Sequence, residues 1–307
     1  MASLPLIDIH MPAMKPIVES KDVKLYCPME GRYAFFNSPF PAHKANTGVD
    51  IYPGDGFGRE APSPVDGEVV LIRRVKAPRG HGFTAADHDT VVVLRNKDNP
   101  ETVTKLLHID PLVEVGDTVG VGDPIGLTLR SGYYGWGTSP HIHTEIRDPH
   151  DPIRARGGYT LDLIEVPVGD PVDEIAGTVV HLQPEFALIE LDSLGSGLVG
   201  TVNGEPATLD GGIPYYDWMG AHLLDPPSSG IIELLGEPIA DITQSFKQSC
   251  KANCRKYQFT LKNQRILGLS LNLWVSHKPI VKAVPLKKNG LDGKKKRELK
   301  IQMESLL

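Results

Sequence analysis

The stretch VEVGDTVGVGDPIGLTL, residues 113–129, does most to constrain the fold of this 307-residue chain. Its Gly-Asp pairs at 116–117 and 122–123 are typical turn residues, and the segments between them are too short for helices. Similar short segments, rich in Val, Ile, Leu and Thr, occur at 67–75, 90–96 and 102–109. The sequence therefore predicts a mainly β chain whose first domain is an antiparallel sandwich or barrel-like sheet.

Changes in composition and pattern along the sequence divide the chain into four predicted parts. An irregular N-terminal segment covers 1–41, and the β domain covers 42–165. A small β-module follows at 172–238, where GTVVHLQPEFALIELD and SGLVGTVNGEPATLD predict hairpins. A basic C-terminal region covers 239–307, with a helix expected near 241–256 and strands beyond it. The C-terminal part is thus expected to be β-rich or α+β.

The charge of the chain is unevenly distributed. Residues 241–307 contain 15 Lys or Arg and four Asp or Glu, although the whole chain has a net charge of -6. A basic end of this kind contacts nucleic acid or an acidic surface in some proteins, and in others is a solvated end that offsets an acidic body. We favour the second interpretation and expect no nucleic-acid partner.

The composition also bears on the cellular setting. No stretch approaches the roughly 18 apolar residues that a membrane helix needs, and the N-terminus lacks the pattern of a secretory signal. Three cysteines, at positions 27, 250 and 254, are too few for a disulfide framework. We therefore expect a cytoplasmic protein with no membrane segment.

The segment SPHIHTEIRD, residues 139–148, reads as a strand that carries two histidines. Because side chains alternate along a strand, His141 and His143 point to the same face, about 7 Å apart. This arrangement suits a metal ligand next to a catalytic base, although a surface pair of histidines would have the same spacing. Two further side chains are candidates for such a site: Asp50 in TGVDIYP and His108 at the end of the strand TKLLHI.

The order of these pieces resembles a known family. A Gly-x-Asp strand, APSPVDGEVV, a His after an apolar strand, VGDTVGVGDPIG and PHIHTEIR follow one another over about residues 42–150. This order is similar to that of the lysostaphin/LytM-type zinc metallopeptidases, whose fold is the duplicated hybrid motif. The resemblance implies that Asp50 and His143 hold a zinc ion. It also implies that His108 and His141 are catalytic and act around the metal-bound water.

The sequence departs from the family at the first zinc ligand. The family has a His four residues before the Asp, and Asn46 occupies that position here. A neutral amide is a poor zinc ligand compared with imidazole, carboxylate or thiolate. His43 replaces it if the chain bulges between residues 44 and 47. Otherwise Asn46 binds weakly as a substitute, or the site holds no zinc.

The resemblance implies hydrolysis of peptide bonds, with cell-wall-type peptides as one substrate class. Tyr133, Tyr134 and Trp136 lie in the loop before the two histidines, where they would line the substrate groove or simply pack the loop. One alternative is an inactive member of the fold that binds a peptide or a protein partner. A second is a phosphotransfer or carrier domain, because APSPVDGEVV also resembles strand and turn signatures of such domains. Zinc content distinguishes the first alternative, and phosphorylation of His108 or His141 would support the second.

Overall fold

The computed structural model describes residues 12–167, 169–276, 279–291 and 298–306. Strands dominate it, which confirms the mainly β prediction. The one helix within these ranges is a single turn, α1 (Pro41–Lys44), and none of the described helical structure is long and apolar enough to cross a bilayer. Residues 1–11 of the predicted N-terminal segment and 292–297 of the basic region lie outside the described residues.

The described residues of the first half of the chain form thirteen strands. They are β1 (Met14–Ser20), β2 (Val23–Pro28), β3 (Arg32–Ala34), β4 (Val49–Tyr52), β5 (Glu60–Pro62), β6 (Gly67–Lys76), β7 (His88–Asn96), β8 (Val103–Leu107), β9 (Ile109–Pro111), β10 (Thr118–Val119), β11 (Pro124–Thr128), β12 (Ile142–Arg147) and β13 (Asp162–Leu163).

The part of the second half that the structure describes contains thirteen more strands. They are β14 (Ile175–Leu182), β15 (Ala187–Leu191), β16 (Val199–Val202), β17 (Glu205–Ile213), β18 (Trp218–His222), β19 (Ile231–Leu234), β20 (Glu237–Ser245), β21 (Ser249–Cys254), β22 (Tyr257–Leu261), β23 (Gln264–Leu271), β24 (Leu273–Trp274), β25 (Ile280–Pro285) and β26 (Glu298–Ser305).

An eight-stranded antiparallel sheet forms the centre of the first half. Its strands follow the order β10-β6-β7-β8-β12-β4-β3-β24. Strand β12 shows how this sheet separates its two faces. Ile142 and Ile146 are fully buried in the hydrophobic core, whereas His143 and Glu145 alternate with them and point to the opposite face. The strand therefore joins the core to a polar site.

The Gly-Asp turns form as the sequence predicts. Gly116 has φ 100° and Gly122 has φ 90°, values that L side chains rarely adopt. The carboxylates of Asp117 and Asp123 accept hydrogen bonds from the backbone amides of Glu114 and Gly120, at 2.7 and 2.6 Å. These turns set the register of the short strands β10 and β11 around them.

The prediction of an irregular N-terminal segment is wrong for the described residues 14–34. Strands β1 and β2 form a hairpin, and β1 also pairs with β13. Lys21 and Asp22 make the turn with φ values of 53° and 63°. Such a turn usually contains Asn-Gly or Asp-Gly, so Lys-Asp gives little sequence signal for it.

The second half forms two closed rings of strands. One ring runs β16-β19-β20-β21-β18-β17 and closes through β16–β17, and the other runs β23-β22-β26-β14-β15-β25 and closes through β23–β25. Pairing between β17 and β23 joins the rings, and one hydrophobic cluster extends through both. The pairing of β19 with β20 crosses the predicted boundary at 238–239, because the hairpin places both strands in the same ring.

The expected helix at 241–256 is wrong. This segment contains the end of β20 and all of β21, which pair with each other. Cys250 and Ala252 alternate into the core while Lys251 and Asn253 point away from it. Pairing with neighbouring strands outweighs the weak helical preference of this polar segment.

The second half of the chain also completes the first. Strand β24 adds to the edge of the eight-stranded sheet by pairing with β3. The ring of Phe36 is fully buried against Trp218, with ring centroids 6.1 Å apart. A Cβ added to Gly220 would lie 2.0 Å from the Phe36 ring, so this contact requires glycine.

We predict that Gly220→Ala lowers the free energy of unfolding by about 1–3 kcal/mol, because the added methyl overpacks the junction. Denaturant unfolding monitored by circular dichroism measures the change. Gly54→Ala is the control, since a Cβ there would meet no atom within 4 Å. Equal stability of the two variants would contradict the prediction.

Candidate metal centre

Three side chains converge on one point beside the eight-stranded sheet. Asp50 on β4 lies opposite His143 on β12 in the antiparallel pair, and α1 brings His43 above them. The donor atoms form a small triangle. Its edges are 3.2 Å from His43 Nε2 to Asp50 Oδ1, 3.0 Å from His43 Nε2 to His143 Nδ1, and 2.9 Å from His143 Nδ1 to Asp50 Oδ1.

This triangle fits a tetrahedral zinc ion. Zinc bound to nitrogen and oxygen at about 2.0–2.2 Å places neighbouring donors about 3.3 Å apart. Two imidazoles and one carboxylate are typical ligands of a zinc site that keeps its fourth position open. Gly48 leaves room for the His143 ring, because a Cβ at that residue would lie 2.8 Å from His143 Cε1.

Hydrogen bonds behind the triangle fix which ring nitrogens face the centre. His43 Nδ1 lies 2.6 Å from the backbone oxygen of Phe35, and His143 Nε2 lies 3.0 Å from Glu145 Oε1. With a metal bound, each imidazole would donate outward to this oxygen and direct the lone pair of its other nitrogen inward. Metal-bound histidines are oriented by such outer partners in most sites.

Glu145 is the buried anion behind His143. Its carboxylate pairs with Lys105 and Arg147, both of which are also buried. Burial alone would raise the pKa of Glu145, but the hydrogen bond from His143 and the nearby charges lower it to about 2. Glu145 therefore remains ionised and holds the His143 ring in place.

The buried charges also set the protonation of the triangle. Burial would raise the pKa of Asp50, yet His141, His43 and His143 hold it well below its usual value. Burial would lower the pKa of His143, and its hydrogen bonds to Asp50 and Glu145 instead raise it to about 9. Without a metal, His143 is thus an imidazolium between two carboxylates, so metal binding must displace a proton.

Asn46 occupies the position at which the similar family has its first zinc ligand. Its side chain contacts other residues than the triangle. Asn46 has φ 54°, and its Nδ2 donates to the backbone oxygen of Leu161 at 2.9 Å. The chain reaches the triangle through His43 instead, because the turn of helix α1 lifts that ring toward Asp50. The sequence suggested a bulge at residues 44–47. The structure instead has this short helix, followed by Asn46 in a left-handed conformation.

His108 lies beside the triangle and is held by a carboxylate. Its backbone amide donates to Asp89 Oδ1 at 2.9 Å, and its Nδ1 lies 2.6 Å from Asp89 Oδ2. Ser131 donates to the same Oδ2 at 2.6 Å. Burial would raise the pKa of Asp89, but His108 and these hydrogen bonds lower it. The arrangement leaves His108 Nε2 for the cleft.

His141 is the second histidine near the triangle. Its Nδ1 lies 2.9 Å from the backbone oxygen of Ser139, and its Nε2 lies 3.5 Å from Asp50 Oδ2. Burial lowers the pKa of His141 to about 3, so the ring is neutral. The rings of His108 and His141 lie edge to face with centroids 5.1 Å apart.

Four residues of the site line a cleft with a volume of about 510 Å³: Asp50, His108, His141 and His143. Tyr134 packs against both catalytic candidates, with its ring centroid 4.9 Å from His108 and 4.9 Å from His141. Tyr133 lies in the lining of the cleft and is 39% exposed. Trp136 lines a neighbouring cavity instead, because the loop turns away after Gly135.

Sequence reasoning missed three acidic residues that support the site. Glu145 had a usable signal, since its period-two spacing places it on the same face as His141 and His143. Asp89 and Asp210 had none, because their partners are distant in sequence. Asp210 Oδ2 accepts hydrogen bonds from the backbone amides of Phe35 and Phe36, at 2.6 and 3.2 Å.

Comparison with known proteins gives similarities to a family model and to solved structures. Residues 23–163 match the model of a family described as a domain of unknown function (DUF8155), N-terminal domain. A mutant catalytic domain of the prophage-encoded M23 protein EnpA from Enterococcus faecalis is similar in structure, with 21% sequence identity and a TM-score of 0.25. That similarity covers 37% of this chain and 72% of the other. No curated protein matches the sequence.

The family match and the metal-ligand triangle fall in the same part of the chain. The matched residues 23–163 contain His43, Asp50 and His143, together with His108 and His141.

We predict that Asp210→Ala weakens zinc binding by about 10–100-fold, the usual cost of losing an outer support of a metal ligand. The change leaves the buried amides of Phe35 and Phe36 without an acceptor, and Phe35 is the residue that orients His43. Chelator competition measures the affinity. Asp241→Ala is the control because it removes an exposed carboxylate that pairs with Arg255. Unchanged affinity in Asp210→Ala would contradict the prediction.

Proposed function

We propose that this protein is a zinc-dependent metallopeptidase-like hydrolase that cuts peptide bonds in its cleft. The observation that carries the proposal is the convergence of a metal-ligand triangle and two further histidines on one buried point. Each of these side chains is held by a separate hydrogen bond, which is typical of preorganised catalytic sites.

His43, Asp50 and His143 would hold the zinc. When bound, the ion polarises the carbonyl of the substrate and lowers the pKa of a water molecule to about 7. The burial of all three residues keeps the site at low dielectric, where charge interactions are stronger. We assign the proton transfers and the stabilisation of the oxyanion to His108 and His141.

His141 is the better candidate for the general base. Its Nδ1 proton is committed to Ser139, so Nε2 carries the free lone pair on the side of Asp50. The low pKa keeps this nitrogen unprotonated at neutral pH. We assign to His141 Nε2 the acceptance of the proton from the attacking water.

His108 is the better candidate for the proton donor. The Asp89 carboxylate lies 2.6 Å from His108 Nδ1 and orients the ring, in the way that a buried Asp orients a catalytic His. A protonated His108 directs an Nε2–H into the cleft. There it would stabilise the developing oxyanion and then protonate the leaving amine.

The cleft suits an extended peptide of unassigned sequence. Phe40 and Tyr133 pack edge to face, with ring centroids 6.3 Å apart, and both residues line the cleft. Tyr134 lies at the histidines and would contact the substrate backbone. Glycine-containing peptides of the cell-wall type are the first substrates to test, because the sequence resemblance implies them.

We predict about one zinc per chain in the purified protein, lost in His43→Ala and retained in Asn46→Ala. His43 contributes a donor atom to the triangle, whereas the Asn46 amide is bonded to Leu161. Elemental analysis after zinc reconstitution and dialysis measures the content. Absence of zinc from the parent would overturn the hydrolase and favour a peptide-binding module.

We predict that His108→Ala and His141→Ala keep their zinc but lose about 10²–10⁴-fold in kcat, the usual contribution of a general acid or base. Hydrolysis of glycine peptides, followed by amine release, measures the rate. Asp50→Ala serves as the contrasting variant, since it should lose both zinc and activity. Full activity in both histidine variants would refute the assigned roles.

A further inference from the structure

A second cavity of about 240 Å³ adjoins the cleft. Four residues line both spaces: Asn37, Gly135, Thr138 and Tyr216. The cavity lies between the two halves of the chain, because Tyr52 belongs to the eight-stranded sheet and Lys282 belongs to β25 of the second ring. A group bound in the cleft can therefore extend into it.

Lys282 is the only charged residue in the described lining of this cavity. It is 5% exposed, and its amine donates to the Gly137 backbone oxygen at 2.9 Å and to Ser139 Oγ at 3.3 Å. Both partners are neutral. Among the described residues no carboxylate forms an ion pair with this amine, in contrast to the buried Lys105, which pairs with Glu145.

A buried ammonium without a counter-charge is unfavourable. Burial lowers the pKa of Lys282 to about 7, and the nearby Arg32 lowers it further than Asp55 raises it. An ammonium group has three hydrogens, and the two neutral partners use two of them. The Phe186 ring lies 5.2 Å from the amine and compensates its charge only weakly, so an anion in the cavity would still supply a favourable counter-charge.

The other groups of the lining suit a small polar ligand. Ser270, Asn37 and Tyr215 supply hydroxyl and amide groups, and no Asp or Glu occurs among the described lining residues. The ring of Tyr52 lines the cavity and lies close to the proposed catalytic site, with its centroid 5.1 Å from that of His141. The lysine amine is also linked to that site, since Ser139 contacts both Lys282 and His141.

We propose that this cavity is a subsite for a carboxylate group of the substrate, bound by the Lys282 amine. The inference rests on the proposed peptidase function and adds a substrate class to it: peptides with a carboxylate close to the scissile bond. The carboxylate is either the C-terminus of the peptide or an acidic side chain, and both present the same anion to the amine.

Three matched probes test the proposal: an acetylated tetraglycine with a free C-terminal carboxylate, its C-terminal amide, and an amidated version with one Gly replaced by Asp. Their dissociation constants are measured by calorimetry on the full-length, zinc-loaded His108→Ala protein, in which turnover is slow. We expect at least one carboxylate probe to bind about tenfold or more tightly than the neutral amide. Whichever probe binds more tightly identifies the source of the carboxylate.

Lys282→Met, added to the same background, should reduce this ratio to about one. Lys300→Met is the matched control, since Lys300 is exposed, lies in the same ring and pairs with Glu174. Two outcomes would overturn the subsite. One is that all three probes bind equally well to the His108→Ala parent. The other is that the carboxylate probes still bind more tightly than the amide after Lys282→Met. Failure of the wild-type protein to hydrolyse any peptide would instead overturn the proposed function, because the binding ratio does not depend on turnover.

Discussion

The antiparallel register of β4 and β12 is the constraint on which the site depends. It sets Asp50 directly opposite His143, and the two donor atoms are 2.9 Å apart as a result. A slip of one residue would turn the His143 face of β12 into the core and expose Ile142 and Ile146. Burial of those two isoleucines therefore fixes the geometry of the metal-ligand triangle as well as the stability of the sheet.

The second half of the chain supports this geometry from behind. Asp210 holds the backbone at Phe35, whose carbonyl oxygen orients His43. Lys282 holds the loop at Ser139, whose carbonyl oxygen orients His141. Each support acts through one backbone carbonyl, and the described residues of the two rings add no member to the metal-ligand triangle.

The sequence was informative where chemistry and local pattern coincide. Period-two alternation predicted the shared face of His141 and His143, and the Gly-Asp turns predicted the short strands around residue 120. The structure places Asp50 and His108 in the lining of one cleft. The role of Asp89 could not be predicted from the sequence, because Asp89 contacts His108 only through the pairing of β7 with β8. The closure of the two rings depends on contacts far apart in sequence, which no local pattern reveals.

The dependence of the site on Asp210 and Lys282 has a consequence during synthesis. All five histidine and aspartate side chains of the centre leave the ribosome before residue 150, but the residues that hold His43 and His141 in place follow much later. A nascent chain that has released only its first half therefore lacks the supports of His43 and His141. Translation order thus delays the final arrangement of these two rings until Lys282 has been made.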